Sequence, residues 1–108
     1  MKTLLAVLAL LLAGCATTPP SPKPEDAFRF GGISVPASGK VLETQHDRGI
    51  DSRYVVVLTL PAEDVPKLLE ASNFAPGVMN DDQVIEGRHV YRKVTVEGTT
   101  VRLEMFTT

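Results

Sequence analysis

The chain has 108 residues, of which 44% are hydrophobic and 22% charged, with a formal net charge of −2 at pH 7 and a single cysteine. A chain of this length has room for one small domain, and its acidic balance argues against nucleic acid or an anionic membrane surface as a partner. Because Cys15 is the only thiol, disulfides, cysteine-ligated zinc and thiol redox pairs are excluded for the folded domain.

The N-terminal segment is typical of an export signal. A short basic start containing Lys2 is followed by the uninterrupted apolar run Leu4–Leu12 and then by two small residues. This run is too short to span a bilayer, because a transmembrane helix needs about 20 apolar residues. The pattern therefore favours a cleaved signal over a membrane-spanning helix.

The tetrapeptide Leu12-Ala13-Gly14-Cys15 ends this segment and resembles the lipobox of bacterial lipoproteins. The resemblance implies that the thiol of Cys15 receives a diacylglyceryl group. It also implies that a signal peptidase recognises Leu12, Ala13 and Gly14 and removes residues 1–14. The mature protein would then be held by acyl chains, palmitate among them, on the exported side of a membrane, and two or more such chains give stable attachment.

A proline-rich stretch follows the cysteine. Its prolines favour extended polyproline II conformers and stand at positions 19, 20, 22 and 24. We predict a tether over residues 15–26 that holds a domain of residues 27–108 up to about 30 Å from the bilayer. In lipoproteins of double-membrane bacteria, an Asp directly after the lipidated cysteine tends to mark retention in the inner membrane. Residue 16 is Ala in this chain, so the resemblance leaves both the cell membrane and the outer membrane as destinations.

The first strands of the predicted domain precede a helix. Residues 40–45 form a moderate strand candidate, and Arg53–Leu60 is the strongest strand because it is rich in β-branched and aromatic residues on both alternating faces. Such a strand is normally central and covered on each side, so Val57 is expected to be buried. After Pro61, apolar residues at helical spacing predict a helix that begins near residue 65, since Pro66 suits only a first turn.

The last third of the domain reads as a loop and a hairpin. Asn80-Asp81-Asp82 is interpreted as a polar loop, and it lacks the glycine and distal glutamate of a calcium-binding EF-hand. Apolar and polar residues alternate along His89–Glu97 and again along Val101–Phe106, with a turn at 97–100 between them. This pattern predicts a hairpin with one buried face. The predicted fold is therefore α+β: a small antiparallel sheet in β-β-α-β-β order with one helix packed on a face.

A second resemblance covers about a quarter of the chain. Residues 49–51, 53–60 and 61–72 together resemble a segment of small uncharacterised bacterial lipoproteins. It implies a shared fold and transfers no catalytic residue.

Candidate chemistry is sparse. His46 lies beside Asp47 and near Asp51, and His89 begins the hairpin, so a metal or general-base site is conceivable if they converge. A solvated turn is the preferred interpretation for His46. We therefore assign no catalytic residue, no metal ligand and no cofactor.

A cluster of cations on the hairpin is the candidate partner contact. It comprises Arg88, Tyr91, Arg92 and Lys93, where strand alternation places Arg92 on one face and Tyr91 with Lys93 on the other. These charges could dock an acidic protein or an anionic wall polymer, or they could protect an edge strand from aggregation.

The sequence thus predicts an envelope lipoprotein that acts as a non-enzymatic binding module for an envelope protein or cell-wall partner. Two alternatives stay open. One is an inhibitor or immunity-type protein for an envelope enzyme, and the other is a small metal-dependent hydrolase.

Overall fold

The computed structural model describes residues 22–49 and 51–107. Within them the chain forms two α-helices, a single 3-10 turn and five strands. In chain order these are α1 (Pro24–Gly31), β1 (Lys40–Arg48), β2 (Ser52–Thr59), the 3-10 turn (Ala62–Asp64), α2 (Val65–Ala71), β3 (Asn80–Ile85), β4 (Arg88–Glu97) and β5 (Thr100–Phe106). Neither of these helices has the length and apolar character needed to cross a membrane.

The strands form one antiparallel sheet in the order β1-β2-β5-β4-β3. The hairpin of β1 and β2 therefore joins the meander of β3, β4 and β5 through the pairing of β2 with β5. This arrangement confirms the α+β class and the antiparallel sheet. The predicted β-β-α-β-β order is wrong, because a third strand follows α2 and a second helix precedes β1.

The first correction concerns α1, which occupies part of the predicted tether. Pro24 opens the helix, where its missing N–H costs nothing, and Glu25 and Asp26 lie in the first turn, where acidic groups suit the helix dipole. Ala27 and Phe30 are buried. The fold therefore begins at Pro24 rather than at residue 27, and the tether ends before it.

The second correction concerns β3, which replaces the predicted polar loop at 80–82. Asp81, Gln83 and Ile85 are partly buried, while their neighbours in the strand are exposed. The two-residue turn Glu86–Gly87, with positive φ at both positions, sets the register of β3 on β4. Carboxylates are rare in strands but suit an edge strand, which is why composition alone suggested a loop.

The core lies on one face of the sheet, beneath the two helices. Its buried members are Ala27, Phe30, Ile33, Val56, Leu58, Leu60, Leu68, Phe74, Val90, Val94, Val101, Leu103 and Met105. The helix α1 approaches β5 closely, and a side chain at Gly31 would overlap Met105. A larger residue at this position would therefore force Met105 to shift.

The opposite face, which we call the helix-free face, carries Arg53, Val55, Val57, Tyr91, Lys93, Arg102, Glu104 and Phe106. The prediction that β2 is covered on both sides is therefore wrong, and Val57 is only partly buried. Val55 is buried even so, between its cross-strand neighbours Gln45 and Glu104. Long polar side chains, rather than a second layer of structure, surround the valines on this face.

Candidate functional site

The four predicted contact residues all lie on β4 and divide between its two faces. Tyr91 and Lys93 are exposed on the helix-free face, and Arg92 points to the opposite one, as alternation predicts. Arg88 lies on the same side as Arg92, with its guanidinium 4.9 Å from the centre of the Phe30 ring. The four residues therefore do not form one continuous docking patch.

Arg92 is the member that the structure removes from the predicted contact surface. Its exposure is 2%, so it cannot meet a partner. The guanidinium forms a two-pronged pair with Asp81, in which Nε lies 2.8 Å from Oδ1 and Nη2 lies 2.6 Å from Oδ2. This partly buried pair fixes the edge strand β3 to β4 from the core side.

The third guanidinium nitrogen of Arg92 joins the ends of both helices. Nη1 donates to the carbonyl oxygens of Gly31, Gly32 and Ser72, at 3.1, 3.3 and 2.8 Å. These carbonyls lie at the C-termini of α1 and α2, where the helix dipoles concentrate negative charge. The cation also lies 4.0 Å from the centre of the Phe74 ring. Arg92 is thus a structural hub.

Two further contacts complete this hub. Ser72 is fully buried, and its hydroxyl accepts a hydrogen bond from the backbone N–H of Ser34 at 2.9 Å. The amide nitrogen of Gln83 donates to Asp81 Oδ2 at 3.2 Å. Burial alone would raise the pKa of the Asp81 carboxyl, but the hydrogen bonds from Arg92 and Gln83 and the charge of Arg92 outweigh it and hold the pKa below its usual value.

The two histidines lie on opposite faces of the sheet. His46 stacks on Tyr54 on the helix side, with ring centres 3.9 Å apart and planes 3° from parallel. His89 lies on the other face, where Nδ1 is 3.1 Å from the Asp82 carboxylate. Two strands also separate β1 from β4. Within residues 22–49 and 51–107 no three metal-ligating side chains come together.

The environment of His46 disfavours its charged form. Burial against the sheet is the main cause that lowers its pKa below 6.5, and the positive charge of Arg48 adds to it, while Asp47 and Asp26 act in the opposite sense. Asp51 lies beyond the end of β1 and lines a surface depression with Asp47. These carboxylates and His46 do not form a catalytic arrangement in the described part of the chain.

On the helix-free face, a pair of aromatic residues lies beside a group of ion pairs. Tyr91 stacks on Phe106, with ring centres 5.5 Å apart and planes at 22°. Beside them, Glu104 pairs with Arg53 at 3.1 Å and with Arg102 at 3.0 Å. Burial would raise the pKa of Glu104, but the Arg53 hydrogen bond and the charges of Arg102 and Arg53 hold it below the usual value.

Sequence reasoning missed Phe106, Arg53 and Glu104 as members of this surface, although a signal was present. The two-residue turn at Gly98–Thr99 sets Tyr91 opposite Phe106, so the hairpin alone would have paired these aromatic residues. The pairing of β2 with β5, which adds Arg53, has no comparable local signal.

The predicted lipobox, Leu12-Ala13-Gly14-Cys15, and most of the predicted tether lie outside the described residues. No protein family model matches this chain, and no curated protein or solved structure is significantly similar to it. What the domain does must therefore be inferred from its residues and their geometry.

Proposed function

We propose that this chain is a lipid-anchored protein of the bacterial cell envelope whose folded domain binds another envelope component. The observation that carries the proposal is the sequence Leu12-Ala13-Gly14-Cys15 at the end of an apolar run, with the only cysteine of the chain at its last position. In this proposal the acyl chains on Cys15 attach the protein to the exported side of the cell membrane or the outer membrane.

The position of the first helix is compatible with such an anchor. The fold begins at Pro24, so residues 16–23 separate it from Cys15, and they include Pro19, Pro20 and Pro22. A spacer of this composition would hold the domain clear of the bilayer surface while keeping it within a short radius of the anchor. A domain held in this way meets its partners at the membrane.

A binding role is supported by the helix-free face. Its stacked Tyr91 and Phe106 offer rigid aromatic area, which is the kind of residue that anchors protein interfaces. The ion pairs around Glu104 surround them with fixed charge. An enzyme would need a nucleophile, base or metal held together in a pocket, and the two histidines lie on different faces.

The anchor is tested by comparing the wild-type full chain with Cys15→Ser in a bacterial host supplied with labelled palmitate. We expect the wild type to incorporate label, to lose its first 14 residues and to partition into detergent. The Cys15→Ser variant should stay unlabelled and uncleaved, and Ser21→Ala is the matched control that should behave as wild type. Normal labelling and processing of Cys15→Ser would contradict the anchor.

The alternative of a metal-dependent hydrolase is tested separately from the anchor. Protein purified without chelator should contain no zinc at near-stoichiometric level, because three protein ligands are needed for a catalytic zinc site. Stoichiometric zinc that is lost in both His46→Ala and His89→Ala would contradict the geometry and would favour the hydrolase alternative.

A further inference from the structure

The helix-free face carries an ordered row of side chains across all five described strands. In register, this row runs Asp47, Arg53, Phe106, Tyr91, Asp82 from β1 to β3. A positive residue and a negative residue therefore flank the aromatic pair, at equal distances on either side. Arg53 lies one strand beyond Phe106, and Asp82 lies one strand beyond Tyr91. Because adjacent strands are about 4.8 Å apart, both charges lie at about that distance from the aromatic pair.

The neighbouring row also carries opposite charges on the two sides of the line between β4 and β5. It runs Gln45, Val55, Glu104, Lys93, Asn80 across the same strands. Its two central residues, Glu104 on β5 and Lys93 on β4, carry opposite charges. The four strands β2, β5, β4 and β3 are therefore arranged symmetrically about the line between β4 and β5, and β1 is the one strand without a counterpart.

A two-fold axis along that line makes the face complementary to itself. Rotation about the axis places β5 of one copy over β4 of the other, so Phe106 faces Tyr91 of the second copy and Glu104 faces its Lys93. The same rotation sets Arg53 opposite Asp82. Both of these charged pairs are then of opposite sign, while Asp47 on β1 lies outside the overlap. An interface with two-fold symmetry needs this kind of self-complementary patch.

From this complementarity we infer that the protein forms a symmetric dimer in which the helix-free faces of two copies pack together as a two-sheet sandwich. Sheets packed face to face lie about 10 Å apart with strands within about 30° of each other. The inference deepens the proposed binding role by naming a second copy as the partner, and it rests on that role.

Four strands of each copy, β2, β5, β4 and β3, overlap in this arrangement. At about 4.8 Å spacing and about eight residues long they give a flat area of roughly 500 Å², to which the relief of the side chains adds. A stable interface buries about 800 Å² per partner. Tyr91, which is 37% exposed, and Phe106 would supply its apolar centre.

The sheet edges are poorer sites for self-association. A bulge between Val41 and Glu43 interrupts β1, and such irregularities discourage pairing of an edge with another strand. The other edge, β3, carries Asp81 and Asp82 in succession, and an antiparallel pair of β3 strands would bring these carboxylates together. The face is therefore the better interface.

The test uses two charge reversals in the full chain, each variant made with two different C-terminal tags and extracted in mild detergent. The dimer contains the contact between Arg53 and Asp82 twice, once on each side of the axis. In Asp82→Arg the introduced arginine would face Arg53 at both contacts, and in Arg53→Asp the introduced aspartate would face Asp82 at both contacts. We expect either variant to recover its own second copy about 10-fold less than wild type does, which corresponds to about 1.4 kcal/mol.

When the two variants are co-expressed with each other, both contacts regain opposite charges. Recovery between Asp82→Arg and Arg53→Asp copies should then return to within about 2-fold of wild type, a difference well below 1.4 kcal/mol. This rescue also shows that the single variants fold. The matched reversals Glu70→Arg and Arg29→Asp, both exposed on the helices, should leave recovery unchanged.

Three results would overturn the dimer: no recovery between wild-type copies, unchanged recovery for the single variants, or no rescue in the mixed pair. The anchor is measured in the same preparations by palmitate label. Dimers without label would contradict the proposed anchor alone, and labelled monomers would contradict the dimer alone.

Discussion

The buried Arg92 on β4 and the partly buried Asp81 on β3 form a two-pronged ion pair, with N–O distances of 2.8 and 2.6 Å. The same guanidinium donates to carbonyl groups at the C-termini of both helices. One side chain therefore joins the edge strand, α1 and α2. A small domain without disulfides depends on such contacts, because its apolar core alone provides limited stability.

Replacing Arg92 by Met should destabilise the domain strongly. The change leaves Asp81 and the carbonyls of Gly31 and Ser72 without their donor, and removing one partner of a buried pair costs about 3–5 kcal/mol. Urea unfolding followed by circular dichroism measures the loss. Arg29→Met, an exposed change on α1, is the control and should alter stability by less than about 0.5 kcal/mol. If the Arg92→Met protein were as stable as this control, the contacts of Arg92 would not stabilise the fold as we infer.

Asp81→Asn should flatten the acid dependence of stability. The folded-state pKa of Asp81 lies below the ordinary value of 3.8, so its ionised form stabilises the fold above that pH, and the contribution is lost as the pH falls through the folded pKa. At pH 7 the variant should be less stable by about 1–3 kcal/mol. Urea unfolding of both proteins between pH 7 and pH 3 should show this difference shrinking in acid; a constant difference would contradict the pairing.

Val56→Asp and Val57→Asp should have very different effects, although the residues are neighbours. Val56 is fully buried beneath the helices, and an unpaired charge there costs several kcal/mol and should unfold the domain. Val57 lies on the helix-free face beside Arg102, so its substitution should cost about 1 kcal/mol. Circular dichroism distinguishes a folded from an unfolded variant. An unfolded Val57→Asp with a folded Val56→Asp would show that the strand faces are reversed.

His46 should titrate below 6.5 in the folded protein. Burial against the sheet and the charge of Arg48 both lower its pKa, so the unfolded chain binds the proton more readily and stability falls as the pH drops through and below 6.5. Nuclear magnetic resonance of the imidazole ring measures the pKa directly. Arg48→Gln should raise it part of the way towards 6.5, and a pKa above 6.5 in the wild type would contradict the packing on Tyr54.

The sequence predicted the elements whose patterns are local. The alternation of Val101, Leu103 and Met105 and the spacing around Leu68 identified β5 and α2, since period-2 and period-3.6 patterns report directly on burial. Even the first-turn position of Pro66 followed from backbone sterics. The α+β class followed from these elements.

The errors arose where tertiary contacts override local preference. Asp81 lies in a strand because Arg92 neutralises it, and that partner is 11 residues away. Pro24 opens a helix because Ala27 and Phe30 bury themselves on the sheet, which a proline-rich composition does not reveal. The sequence suggested a surface position for Arg92 because arginines are mostly exposed. Its carbonyl partners lie at the ends of two separate helices, and the sequence gives no sign that they meet.

The intact mass of the protein recovered from membranes, with sequencing of its N-terminal peptide, tests the lipid anchor directly. We predict a chain that begins at Cys15 and carries a diacylglyceryl group on its sulfur. A recovered chain that retains residues before Cys15, or that begins there with an unmodified thiol, would contradict the lipid anchor.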